Sequence, residues 1–299
     1  MSVPSAITVA IATTGTSKWL GPLLCALDQQ EIQHVIVVAN GPRADSVPNE
    51  LPGGPRVLRQ AAASLSRARN AALRAAATEV LAFVDDDAVP ERGWASQLAG
   101  AFGREPQMVA AGGPSLLAPG LKLPPWLGRE GLGYLGILDL GPTAFVCRLW
   151  QYPYGCNFAV RRAAALDQGG FREDLGYQGG DLVPNEETEL CRRFQSGGSE
   201  VHYLPQAAVV HHIDVRRLSW RYLLRRAFAQ GRADARVASL HPDMPLRGGG
   251  RAAVAARWIA ATAYRFVRGD LDLAGDHLLR VACLVGTRRG LRFESRRRG

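Results

Sequence analysis

No stretch of 18 or more apolar residues occurs in the 299-residue chain, so nothing in it has the make-up of a membrane-crossing helix. The five cysteines (Cys25, Cys147, Cys156, Cys191 and Cys283) are odd in number and widely spaced, and no CxxC occurs. That set argues against a disulfide framework or a structural zinc, and its simplest compartment is a reducing cytoplasm. The first 17 residues carry no charge, but they lack the basic start of a secretory leader and include Pro4, Thr13 and Thr14. They read as a strand. Lysine is nearly missing: Lys18 and Lys122 stand against 34 arginines in an alanine-rich chain, a skew that fits nucleotide composition as well as ligand choice.

What is present is ordinary globular material: 47% hydrophobic and 21% charged residues, with 33 glycines and 18 prolines scattered along the chain. Disordered, collagen-like and coiled-coil classes are excluded. The net charge of +9 is unevenly placed. Residues 216–299 carry 19 arginines against 6 acidic residues, while residues 1–215 have a balance of −4. The expected division is a body over 1–215 and a basic, helical C-terminal extension over 216–299.

Within the body, residues 6–12 (AITVAIA), 34–39 (HVIVVA), 56–59 and 79–84 (EVLAFV) read as strands. Between them, 18–28 and 64–78 have helical spacing, the second with Ser64 as N-cap. Strand and helix alternation of this kind predicts βαβ units and a mostly parallel sheet flanked by helices, with ligands at the carboxyl ends of the strands. Further strands are expected at 107–113, 155–160, 200–204 and 207–210. A helix over 185–196 is expected with Asn185 as its N-cap, and 114–136 reads as a long irregular Pro/Gly-rich segment. From Ser219 onward the pattern is helical, broken at 241–250.

The sharpest chemical feature is Asp85-Asp86-Asp87 directly after an apolar strand. Three adjacent carboxylates repel one another unless a cation neutralises them, and hard oxygen donors suit Mg²⁺ or Mn²⁺ held together with substrate phosphates. Glu186 and Glu187 open a helix, where the macrodipole favours acids and where a cleft would make one of them a general base; both readings stand. His211-His212 follow a short strand and could complete a metal site. Thr13, Thr14 and Asn40 end strands at the edge that carries the aspartates. Arg67, Arg69 and Asn70 lie on the preceding helix, where a solvated face is the plainer reading.

Taken in order, IATTG (11–15), VIVVANGPR (35–43), LSRARNAAL (65–73), FVDDDAVP (83–90), YGCNFAVRR (154–162), GGF (169–171), NEETELCRRF (185–194) and AVVHH (208–212) resemble a family-2 inverting glycosyltransferase of the GT-A fold. LSWRYLLRRAFAQGR (218–232) also resembles the segment that follows the sheet in bacterial members. The resemblance implies a nucleoside-diphosphate-sugar donor and a Mn²⁺ or Mg²⁺ cofactor. It implies metal ligation by Asp87, Asp85 and His211. Donor binding would fall to Thr13, Thr14, Asn40, Arg67, Arg69, Asn70, Asp85 and Asp86. Glu187 falls where the family places its aspartate base, with Glu186 before it. Two departures stand out: the second strand ends in Ala39-Asn40 where an acidic pair is usual, and Glu replaces Asp at 187.

Three other classes fit the sequence less well. Sugar-phosphate nucleotidyl transfer would need a GxGTRL-like loop near residue 12, and ATTGTS lacks its arginine and spacing. A dinucleotide enzyme would need GxGxxG after the first strand. A non-enzymatic reading makes the basic tail a nucleic-acid or membrane-surface module, but no helix-turn-helix, zinc or RNP pattern accompanies it. The tail thus reads as packed helices, a homodimer contact or a peripheral contact at the inner face of a membrane. Trp126 and Tyr134 are expected either near an acceptor or in the core.

Overall fold

The computed structural model describes residues 7–148, 150–179, 183–246 and 252–298; Pro4 and the glycines at 248–250 lie outside them. In chain order the first half runs β1 (Ile7–Thr13), α1 (Leu20–Asp28), β2 (His34–Asn40), β3 (Arg56–Gln60), α2 (Leu65–Ala75), β4 (Val80–Asp85), β5 (Ala88–Pro90), α3 (Trp94–Arg104), β6 (Met108–Gly112) and β7 (Ser115–Leu117). Then follow α4 (Arg129–Tyr134), β8 (Phe145–Val146), β9 (Asn157–Arg161), α5 (Arg162–Asp167), α6 (Glu186–Ser196), β10 (Glu200–Tyr203), β11 (Val209–His211), α7 (Trp220–Leu240), α8 (Ala252–Val267) and α9 (Leu271–Arg298).

The chain divides into two units. The first comprises 1–118, 138–179 and 186–212; the second comprises 119–137, 180–185 and 213–299. The second therefore includes a short stretch from the middle of the sequence as well as the basic C-terminal region.

The first unit is built on an eight-stranded sheet of order β3-β2-β1-β4-β9-β6-β10-β8. β1, β2, β3 and β4 are mutually parallel, as alternation with helices requires. β9 runs antiparallel to both β4 and β6, which makes the sheet mixed. Its hydrophobic pattern matches that of a parallel strand, because both its faces are buried either way. The core is aliphatic and aromatic, with Val9, Ile11, Val37, Trp94 and Leu98 among its fully buried members. Ser64 caps α2 through its side chain, as expected, accepting from Arg67 N. α1 runs through Gly21-Pro22 without a break, since proline in the first turn lacks only an N–H that would have no helical partner.

Two expectations change. The 114–136 segment is not irregular throughout: it contains β7 and, in the second unit, α4. Asn185 lies at φ 80° just before α6, but its side chain does not cap that helix. Its amide donates to Asp234 Oδ1 (2.7 Å) and accepts from Gln230 (2.7 Å) on α7. Longer-range polar partners outcompeted the local cap.

A second, three-stranded sheet, β5-β11-β7, brings His211 opposite Ala88 in the β11/β5 ladder. In the second unit α7 and α9 pack so closely that a Cβ on Gly231 would lie 1.9 Å from the Cys283 carbonyl, and one on Gly286 2.0 Å from that of Phe228. Trp126 stacks on Trp220 at 3.9 Å, and Tyr134 is buried.

Asn157, at the start of β9, donates to the carbonyls of Pro114 (2.9 Å) and Ala207 (2.7 Å) and accepts from Trp94 Nε1 (2.9 Å). All of this is buried. Asn157→Leu strands the Ala207 carbonyl and the Trp94 indole N–H, while the Pro114 carbonyl keeps its bond from Val209 N, so urea unfolding should show a loss of about 2 kcal/mol or more with an unchanged m-value.

Candidate active site

The register of the sheet gathers the polar strand ends. Ala12 pairs with Asp85 and Thr13 with Ala39, so β1, β2 and β4 finish level with one another. Each aspartate of the triplet has its own partner. Asp85, at the last position of β4, meets Arg69 Nη2 at 3.3 Å. Asp86 accepts from the Thr13 hydroxyl at 2.5 Å, and its backbone carbonyl accepts from Ser17 Oγ at 2.7 Å. Asp87 Oδ1 lies 3.0 Å from His211 Nε2, a consequence of the β5/β11 pairing across 124 residues of sequence. Its carbonyl also accepts from His212 N at 2.8 Å. The imidazole of His212 stacks on Trp19 at 3.5 Å.

Arg69 is 3% exposed and sits among carboxylates. Nη1 donates to Glu186 Oε1 at 2.5 Å and Nη2 to the Gly155 carbonyl at 2.8 Å. The rings of Phe83 and Phe171 lie 5.7 and 5.6 Å from its guanidinium carbon. A Cβ on Gly155 would come within 2.5 Å of Nη2, so this approach requires glycine. Removing one member of such a buried pair typically costs about 3–5 kcal/mol, because the other charge is left uncompensated.

Glu186 and Glu187 begin α6 and are both buried, but they differ in what they meet. Burial, reinforced by neighbouring Glu187 and opposed by Arg69, pushes the Glu186 carboxyl up to about 7. Its Oε2 is buried without a hydrogen-bond partner among the described residues. Glu187 makes no side-chain hydrogen bond or ion pair among the described residues. Glu189, two residues on, is neutralised by Arg193 at 2.7 Å.

The other residues singled out in the sequence separate by surroundings. Asn40, buried at the end of β2, donates to the Thr13 carbonyl (3.1 Å). Thr14 is exposed, its hydroxyl 3.1 Å from that of Thr16. Arg67 is exposed and paired with Glu173 (2.9 Å). The Asn70 amide donates to the Phe171 carbonyl (2.9 Å) and accepts from its N–H (2.8 Å), fastening α2 to the Gly169-Gly170 turn. Gly155, Ser17 and the Trp19–His212 stack were not singled out individually. Gly155 lies inside the YGCNFAVRR motif, which was its one available signal.

The donor chemistry fits a hard divalent cation. Asp87 and His211 supply a carboxylate and an imidazole that face each other, and such ions take remaining ligands from phosphate oxygens and water. Among the described residues, no three His, Cys, Asp or Glu side chains group so that they alone could hold an ion.

This architecture is that of the GT-A fold. The mannosyltransferase PcManGT from Pyrobaculum calidifontis, solved with GDP-Man and Mn²⁺, superposes with a TM-score of 0.59 at 16% identity, over 96% of this chain and 88% of that one. The sequence model of the family described as "Glycosyl transferase family 2" matches residues 8–165, and the chain belongs to that family. It is 28% identical over 181 residues to a glucosyl-dolichyl phosphate glucuronosyltransferase of Haloferax volcanii, covering 60% of this chain and 57% of that protein. It is 33% identical over 183 residues to a pre-mycofactocin glycosyltransferase of Mycobacterium tuberculosis, covering 59% and 35% respectively. The chain thus spans little more than half of the one relative's length and about a third of the other's.

The elevated Glu186 carboxyl has a consequence for stability. Its folded value lies above the ordinary 4.5, so the folded state holds the proton to higher pH than the unfolded chain. The contribution is full below about 4.5 and is lost as pH rises through about 7. In urea unfolding between pH 5 and 8, the native chain should lose on the order of 2 kcal/mol relative to Glu186→Gln, whose curve lacks this slope.

Proposed function

We propose that the chain transfers a glycosyl group from a nucleoside-diphosphate sugar to an acceptor nucleophile, with inversion at the anomeric carbon. The observation that carries this reading is the triplet Asp85-Asp86-Asp87 at the carboxyl end of β4, joined through buried Arg69 to the paired glutamates opening α6. Family membership supports sugar transfer over nucleotidyl transfer. The PcManGT complex supports a nucleotide donor and a divalent metal.

Asp87 and His211 would hold Mn²⁺ or Mg²⁺ with Asp85 beside them, and the ion would supply charge neutralisation for the departing diphosphate. Thr13 and Asn40 belong to the strand ends at which such sheets bind ligands. Their mutual contacts, Thr13 Oγ1 to Asp86 and Asn40 Nδ2 to the Thr13 carbonyl, hold those ends in register for a nucleoside. Arg69 donates to Asp85 and orients its carboxylate.

Removal of the acceptor proton falls to Glu187. Its carboxylate is buried and makes no side-chain hydrogen bond or ion pair among the described residues, whereas Glu186 is committed to Arg69. Glu186 acts instead as a positioning residue, fixing the first turn of α6 through the guanidinium. Glu in place of the usual Asp extends the base by about one methylene.

Glu187→Gln should lower turnover by about 10²–10⁴-fold, the ordinary weight of a general base, while leaving donor binding intact. Binding is read by thermal stabilisation with a panel of nucleotide sugars in Mn²⁺, which EDTA should abolish. Stabilisation by no nucleotide sugar would overturn the donor class. Normal turnover of the Gln variant would transfer the base role away from Glu187.

A further inference from the structure

The second unit exposes apolar side chains that its own packing leaves uncovered. On α8, Ile259, Ala260, Ala263, Phe266 and Val267 are all exposed, Phe266 by 68% and Val267 by 85%. Their spacing, i, i+1, i+4, i+7 and i+8, places them on one arc of about 120° at 100° per residue. Trp258, off this arc, packs against α9: the Arg280 guanidinium lies over its ring at 5.7 Å. Tyr264, at the edge of the arc, is also exposed and carries the Arg268 guanidinium at 5.7 Å.

α9 adds charge of one sign. Leu278, Val285, Arg289, Arg292 and Arg296 fall at i, i+7, i+11, i+14 and i+18, a single face, and all are exposed. Arg288, Phe293 and Arg297 flank it, also exposed. Beyond Asp276 the sequence has one acidic residue, Glu294, and that one is buried against Arg236 at 2.6 Å. The face therefore presents guanidinium groups interleaved with Val285 and Phe293, and among the described residues no carboxylate is paired with Arg289, Arg292 or Arg296.

We infer that α8 and α9 form a docking surface for an anionic phospholipid bilayer. Arginines engage the headgroup phosphates, while Phe266, Val267, Ile259 and Phe293 enter the boundary between headgroups and acyl chains. A helix with an apolar arc and an arginine-rich neighbour is suited to lie in that interface. No described helix is long and apolar enough to cross a membrane, and the contact inferred here lies along the bilayer surface. A protein partner would meet the apolar arc but gives no reason for this many arginines without a counter-charge. A nucleic acid would meet the arginines but leave Phe266 and Val267 in water. Membrane attachment of this kind is independent of sugar transfer, and neither readout below depends on turnover.

The test is co-sedimentation of the full chain with phosphatidylcholine vesicles, with and without phosphatidylglycerol. Binding should require phosphatidylglycerol and weaken sharply at about 1 M salt, where the Debye length is about 3 Å. Phe266→Ser/Val267→Ser and Arg289→Glu/Arg292→Glu should each lower vesicle affinity by about tenfold or more, with the unfolding midpoint unchanged because these side chains are exposed. Failure of the native chain to bind anionic vesicles at low salt would overturn the inference. Binding that survives Phe266→Ser/Val267→Ser would also overturn it, since that marks general attraction to polyanions. So would a dimer, seen by light scattering, that the same variant dissolves while vesicles remain unbound.

Discussion

A single buried guanidinium organises the polar end of the first unit. Arg69 is nearly inaccessible to water, and a charge so placed is tolerable only when its donors are met. They are met by Glu186, Asp85 and the Gly155 carbonyl, three groups from three separate parts of the chain. Each of these depends on a local device: Ser64 starts the helix that carries Arg69, the end of β4 delivers Asp85, and the absence of a side chain at 155 opens the space. Loss of any one leaves an unpaired charge in a poorly solvated place. That energetic stake ties the helix bearing the candidate base to the strand bearing the aspartates.

The second constraint is pairing between strands far apart in sequence. β5 is three residues long and would have little stability by itself. Its ladder with β11 nevertheless sets His211 beside Ala88, and so within reach of Asp87. Positions fixed by a ladder are more exact than positions on a free loop, which suits a site whose ligands must converge. The Asn157 amide performs a similar service within the sheet by tying β9 to the chain at Pro114 and Ala207.

Much of this was legible before any coordinates, and the legible part has a common character. β1, β2 and β4 are unbroken apolar runs with polar residues at their ends. Ser64 caps its helix as its type suggests, and the aspartate triplet stands at a strand terminus. All of these are local patterns. What could not be read depends on contacts over long sequence separations. The antiparallel direction of β9 leaves no trace in a strand buried on both faces. Three-residue strands such as β5 and β7 are too short to show a period. Asn185 has the residue type of a cap, but Gln230 and Asp234, some 45 residues away, hold its amide. Among Arg67, Arg69 and Asn70, sequence spacing could not separate a surface pair, a buried charge and a backbone staple; burial separates them.

The aspartate triplet has an implication beyond its composition. Asp85 faces a guanidinium, Asp86 a hydroxyl and Asp87 an imidazole, and these neighbours belong to different elements. Three identical side chains in a row are therefore chemically distinct residues, made so by where the backbone aims each one. Sliding β4 by one position would preserve the motif as written and exchange all three environments at once. The spelling of the triplet is then secondary to its phase relative to the flanking strands, and a one-residue deletion ahead of it would be more damaging than substitution at any single one of the three.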